Sequence, residues 1–213
     1  MVNRAPRSLV IFQIVLWTLV AVALVYMLLP RFLAPGPVAI SGPITQLGPG
    51  ADMSTPFALV SDEGKPSTEK DFAGKPGLWF YGFANCPDIC PTALAEIGLL
   101  LEQLGPKDAA KVNAVFVTVD PERDTIEVLK SYLDYFDPRI VGLTGDLAAV
   151  SSMAKARFVA FEKIPQGDSY AMQHPAGIFL VDGDGHFAGT LDPEESMEVK
   201  LTKVRRLIAD GAA

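Results

Sequence analysis

Cysteine is scarce in this chain. Two of its 213 residues are cysteine, Cys86 and Cys90. That excludes a disulfide framework and an all-thiolate zinc site, which needs four. Histidine is equally scarce, with only His174 and His186. Positive charge is in deficit, 18 Lys and Arg against 25 Asp and Glu, for a net charge of −7. A nucleic-acid binder would show a basic face, so no nucleic-acid partner is expected. There is no internal repeat, and low complexity is confined to one Pro/Gly-rich stretch.

What is present is apolar sequence, 49% of the chain, enough for a core without covalent staples. The stretch "SLVIFQIVLWTLVAVALVYMLL", Ser8 to Leu29, carries no charge and is long enough to cross a bilayer as a helix. Arg4 and Arg7 precede it and Arg31 alone follows closely. The positive-inside rule then keeps residues 1–7 cytoplasmic and exports the rest. A cleaved signal peptide is the competitor, but its apolar core would be shorter and no small-x-small site follows Leu29. The expectation is a single-pass anchor in the inner (cytoplasmic) membrane with the C-terminal domain outside. Residues 30–55 repeat Pro and Gly without a period and read as a flexible tether. Residues 56–213 form the folded domain.

That domain alternates strands and helices. "GLWFYGFA", Gly77–Ala84, and "VNAVFVTVD", Val112–Asp120, are continuous apolar runs of strand length, as expected of strands covered on both faces. A helical stripe of Leu94, Ile97, Leu101 and Leu104 ends at Gly105–Pro106. "DTIEVLKSYLDYF" reads as a helix with Asp124 as N-cap and Glu127 at its third position. "FALVSDEGKPSTEKDF" reads as a strand, a turn at Asp62–Gly64 and a return. "RIVGLTGD", "FVAFEKI" and "AGIFLVD" read as strands, the last turning at "DGDG" into "HFAGTL". "LAAVSSMAKARF" and Glu194 to Ala209 read as helices. The pattern implies a layered α/β domain around a central sheet.

Both cysteines fall in "GFANCPDICPTALAEI", between the first buried strand and the first helix. A helix N-terminus favours thiolate over thiol, so both sulfurs start as good nucleophiles and ligands. Their i, i+4 spacing places them on one side of a helical turn. A disulfide that merely braced the protein would close too short a loop to stabilise much, and a staple would link distant segments. His174 precedes a predicted strand and is followed by Pro175, which fixes the chain there. Pattern alone leaves it open between ligand and ordinary loop residue. His186, at a hairpin turn, reads as solvated surface.

"YGFANCPDICPTAL", "VTVDPERDT", "LKSYLDYFDPRIVGLTGD" and "SYAMQHPAGIFLVD" together resemble the motifs of the Sco/SenC family, copper-binding proteins of cytochrome c oxidase assembly. The resemblance runs in order from about Phe57 to Leu191. It implies a thioredoxin-like three-layer fold, following the N-terminal transmembrane helix. It also implies copper, as Cu(I) or Cu(II), held by Cys86, Cys90 and His174. Two thiolates and an imidazole form a soft set suited to Cu(I), and a further ligand would give Cu(II) a tetragonal option. The implied function is a copper metallochaperone for the oxidase. Its partners would be the copper-receiving oxidase subunit and a copper donor protein. The alternative is a thiol–disulfide oxidoreductase, with Cys86 and Cys90 as the catalytic pair. Two positions depart from the family pattern: Gln173 and Pro175 stand where Asp and Ser are common.

Other residues are weighed more plainly. "DPERD", Asp120 to Asp124, reads as a helix cap with an Asp–Arg pair, or else as part of a docking surface. Met172 reads as an apolar filler rather than a weak sulfur ligand. Tyr170 reads as packing with its hydroxyl satisfied. Trp79, Phe80, Tyr81 and Phe83 read as strand core and site wall. "DGDG" has too few carboxylates for a calcium loop and reads as a hairpin turn.

Overall fold

The structure is a computed structural model that describes residue 13, residues 16–26 and residues 52–211. Residues 16–26 are helical and expose Trp17, Val22 and Tyr26. Among the described residues no helix is long and apolar enough to cross a membrane. The rest of the expected anchor, residues 1–7 and most of the expected tether lie outside the described residues.

The folded domain is built on one seven-stranded sheet. In chain order the elements are β1 Leu59–Ser61, β2 Pro66–Ser67, β3 Gly77–Gly82, α1 Ile89–Ala109, β4 Asn113–Thr118, α2 Ile126–Leu133 and β5 Ile140–Thr144. They continue with α3 Leu147–Ala156, β6 Glu162–Gln166, β7 Ser169–Gln173, β8 Ile178–Val181, β9 Phe187–Leu191 and α4 Met197–Asp210. The sheet order is β2-β1-β5-β4-β3-β8-β9, and β6 and β7 form a hairpin of their own. β3, β4 and β5 run parallel, while β8 returns antiparallel beside β3. Helical crossovers join the parallel strands, as parallel pairing requires.

All six residues of β3 are buried, so both faces of the sheet centre are covered. Alternation along the strand sorts its side chains. Phe80 faces Phe116 and His174, and Gly82 backs onto Cys90. Trp79 faces the other way, against Phe57, Phe72 and the guanidinium of Arg157, which follows α3. A parallel-centred sheet covered on both faces, with an antiparallel hairpin β8–β9 and a final helix, is the thioredoxin-like α/β plan.

Three boundaries differ from expectation. α1 does break at Gly105, which takes φ 75°, but Pro106 starts one more turn that runs to Ala109. The N-cap of α2 is Thr125, whose hydroxyl accepts the Val128 N–H, so Asp124 does not cap and Glu127 is the second helical residue. The sixth strand begins at Glu162 rather than at Phe158, and β7 accompanies it. Phe158 sits at φ 59°, a conformation that excludes a strand at that point.

Candidate metal centre

The sheet brings two distant segments together at the C-terminal end of β3. The loop after β3 carries Cys86. Cys90 is the second residue of α1 and is fully buried. His174 follows β7 and is 5% exposed. The sulfurs of Cys86 and Cys90 and a ring nitrogen of His174 all lie within 4.8 Å of one another. His174 Nε2 is 3.5 Å from Cys90 Sγ, and Nδ1 is 2.9 Å from the Pro175 carbonyl oxygen. A carbonyl only accepts, so Nδ1 donates to Pro175, and Nε2 is the ring nitrogen that faces the sulfurs. The ring is seated edge-on against Phe80 and Phe83 at 6.0 and 5.7 Å between centroids.

The two thiols are free and unequal. Cys86 is half-buried. A hydrogen bond from Cys90 is the largest of the effects that pull its thiol down to about 3, with His174 and the N–H groups of Asp88 and Cys90 adding to it against burial. Cys90 is pushed far upward, first by the same hydrogen bond and then by burial. The pair holds one proton, and that proton resides on the inner sulfur. This gives a thiolate at the mouth, a thiol beneath it and an imidazole nitrogen beside both. Deprotonating Cys90 would complete a set of two soft sulfurs and one nitrogen, which fits a copper ion.

Cys86 approaches because the loop is tied down. Asp124 is 1% exposed, and its Oδ2 accepts the Ala84 N–H at 3.0 Å and the Thr118 hydroxyl at 2.6 Å. Sequence reasoning assigned Asp124 to a cap and missed this role. Only its position near the end of a central strand could have signalled it. Asp120 is buried too; it pairs with Arg123 and accepts the Tyr170 hydroxyl at 2.8 Å. Tyr170 thus has the satisfied hydroxyl expected of it, and Met172 is buried in the core. His186 stays at the surface, within a second group of Asp182, Asp184 and His186. There Asp182 Oδ1 accepts the Asp184 and His186 N–H groups and so builds the hairpin turn.

Fold and cluster together define a thioredoxin-like α/β domain with a dithiol–imidazole cluster at the end of β3. The SCO1/SenC family model matches residues 45–209, and the chain belongs to that family. It is 40% identical over 152 residues to the mitochondrial protein SCO1 of Saccharomyces cerevisiae, covering 70% of this chain and 52% of the relative. The chain spans about half the length of the curated relatives it matches. The copper-bound structure of Bradyrhizobium japonicum ScoI is similar at 42% identity and TM-score 0.68, covering 75% of this chain and 99% of that one. Copper-bound yeast Sco1 is similar at 35% identity and TM-score 0.66, covering 74% and 88%.

Proposed function

We propose that the protein is a membrane-tethered copper metallochaperone that delivers copper to cytochrome c oxidase during its assembly. Copper is its cargo, and Cys86, Cys90 and His174 are the ligands. The observation that carries this reading is the meeting of the three ligand atoms, with Nε2 of His174 facing Cys90. Copper-bound relatives of the same family support it. Thiolates suit transfer because sulfur can pass copper to an incoming sulfur without freeing the ion. The copper-receiving oxidase subunit and a copper donor are the partners. The charge-free span Ser8–Leu29 and the arginines before it support the tether.

The test is anaerobic copper titration of the full chain with metal analysis. Reduced protein holds about one copper and loses it on disulfide formation, because sulfurs bonded to each other are not thiolate ligands. His174→Ala keeps the dithiol but weakens copper, Cu(II) most, since Cu(II) favours nitrogen donors. Unchanged Cu(II) affinity and absorption in that variant would remove His174 from the site.

One observation favours a second reading, thiol–disulfide exchange. A half-buried thiolate backed by a protonated partner is also an attacking pair. An exchange enzyme needs only Cys86 and Cys90, so His174→Ala would leave it working. A copper carrier with that change fails to mature oxidase under copper limitation.

A further inference from the structure

The turn Asp120–Asp124 makes contacts in two directions. At its C-terminal end, Asp124 receives the Ala84 N–H and the Thr118 hydroxyl on one carboxylate oxygen, and its own carbonyl accepts the Thr144 hydroxyl at 2.8 Å. Two donors aimed at one oxygen suit an ionised carboxylate. Ala84 lies two residues before Cys86. The nearest main-chain bond of the cysteine itself, Cys86 N–H to the Phe83 carbonyl at 3.2 Å, stays inside the loop.

The rest of the turn grips the other segment. Arg123 pairs with Asp120, donates to the Tyr170 carbonyl at 3.1 Å and lies 3.8 Å from the Tyr170 ring centroid. The Tyr170 hydroxyl returns to Asp120, and Glu122 pairs with Lys163 of β6. Tyr170 belongs to β7, the strand that ends just before His174. The β6–β7 hairpin shares no ladder with the main sheet, so these side chains take over the anchoring that ladder bonds supply elsewhere. Arg123 also lies 5.8 Å from the Phe83 ring, which seats the His174 imidazole. Asp120 and Asp124 are 2% and 1% exposed, so neither is available at a docking surface.

We propose that this turn is a bracket that sets the spacing between dithiol and imidazole, with Asp124 and Arg123 as positioning residues; the proposal rests on the copper-site reading above. Each arm controls a different ligand. The Asp124 arm places the sulfurs. The Arg123–Tyr170 arm places the nitrogen. Breaking them therefore has unlike effects on the two copper oxidation states, because two thiolates alone retain Cu(I) while Cu(II) favours the imidazole.

The test compares Asp124→Ala, Asp124→Asn, Arg123→Met and Tyr170→Phe in the full chain. Arg123→Met and Tyr170→Phe weaken Cu(II) by about 10- to 100-fold, the usual cost of losing an outer support, and leave Cu(I) affinity unchanged. Asp124→Ala weakens both ions. Asp124→Asn, whose amide oxygen accepts the same two bonds, restores them. Hydrogen exchange on metal-free protein gives a second readout: Asp124→Ala deprotects the Ala84 amide, and the Arg123 and Tyr170 variants deprotect β7 instead. A merely structural role would lower the melting temperature of all variants with one unchanged Cu(II)-to-Cu(I) ratio, and that result would overturn the bracket. So would an Ala84 amide as protected in Asp124→Ala as in wild type. If wild type bound no copper, the copper reading would fall while the exchange pattern still judged the bracket. Tyr170→Phe removes a single hydroxyl and keeps the ring, so it carries the test if Arg123→Met does not fold.

Discussion

Two cysteines four residues apart have come to differ because one stands at the mouth of a helix and the other inside it. Cys86 receives N–H groups and the Cys90 proton, while Cys90 lies among apolar side chains. The sign of the effect is testable. A thiol at its ordinary value of 9.0 loses about tenfold in thiolate for each pH unit below it. Cys86, held near 3, stays ionised throughout that range. Iodoacetamide labelling mapped by mass spectrometry should therefore go at one rate from about pH 8 to about pH 5 at Cys86, with Cys90 untouched. A rate falling tenfold per unit over that span would show an ordinary thiol. The pairing of sulfurs was legible from spacing alone, but their inequality was not, because it depends on depth. Asp124 and Thr125 illustrate the same limit. Both residue types cap helices, and only the packing shows that the hydroxyl caps while the carboxylate turns inward to Ala84.

Among the elements, β3 and α1 meet closely at Gly82. A Cβ there would stand 2.7 Å from Cys90 Sγ and 3.0 Å from both the Phe80 and Phe116 rings. All three neighbours are fully buried and have no room to yield. Gly82→Ala should cost about 1–3 kcal/mol by overpacking and displace Cys90 toward solvent. Urea unfolding and new labelling of Cys90 would register this; an unshifted midpoint would mean the helix start moves freely. The close approach also explains which elements could be recognised beforehand. β3 and β8 are buried along their whole length and β4 from Ala114 onward, so each reads as an apolar run. β6 is largely exposed and β7 is mostly half-buried, so neither an apolar run nor a clean alternation marks them, and β7 escaped notice. The imidazole therefore arrives on an element that hydrophobic periodicity could not reveal. Its placement was expected from family resemblance rather than from the pattern around it.

At the scale of the whole molecule, the proposed topology makes a prediction of its own. A reporter enzyme active only outside the cytoplasm, fused after Ala213, should be active. The mature protein should keep Ser8 to Leu29 and remain with membranes after alkaline washing. A soluble form beginning near Leu33 would point to a cleaved signal instead. The folded domain has a different large-scale property, set by chain distance. Cys90 and His174 are 84 positions apart, and the span between them contains β4, α2, β5, α3 and the β6–β7 hairpin. An ion gripped by both ends would close that whole span like a clasp. Loop closure of this size in a covalent cross-link is worth about 4–5 kcal/mol. Such a closure restricts the unfolded chain rather than the folded one, so a loaded carrier would unfold less readily and would lose that margin on surrendering its ion. A protease that cuts only unfolded chain would then digest the empty carrier sooner than the full one.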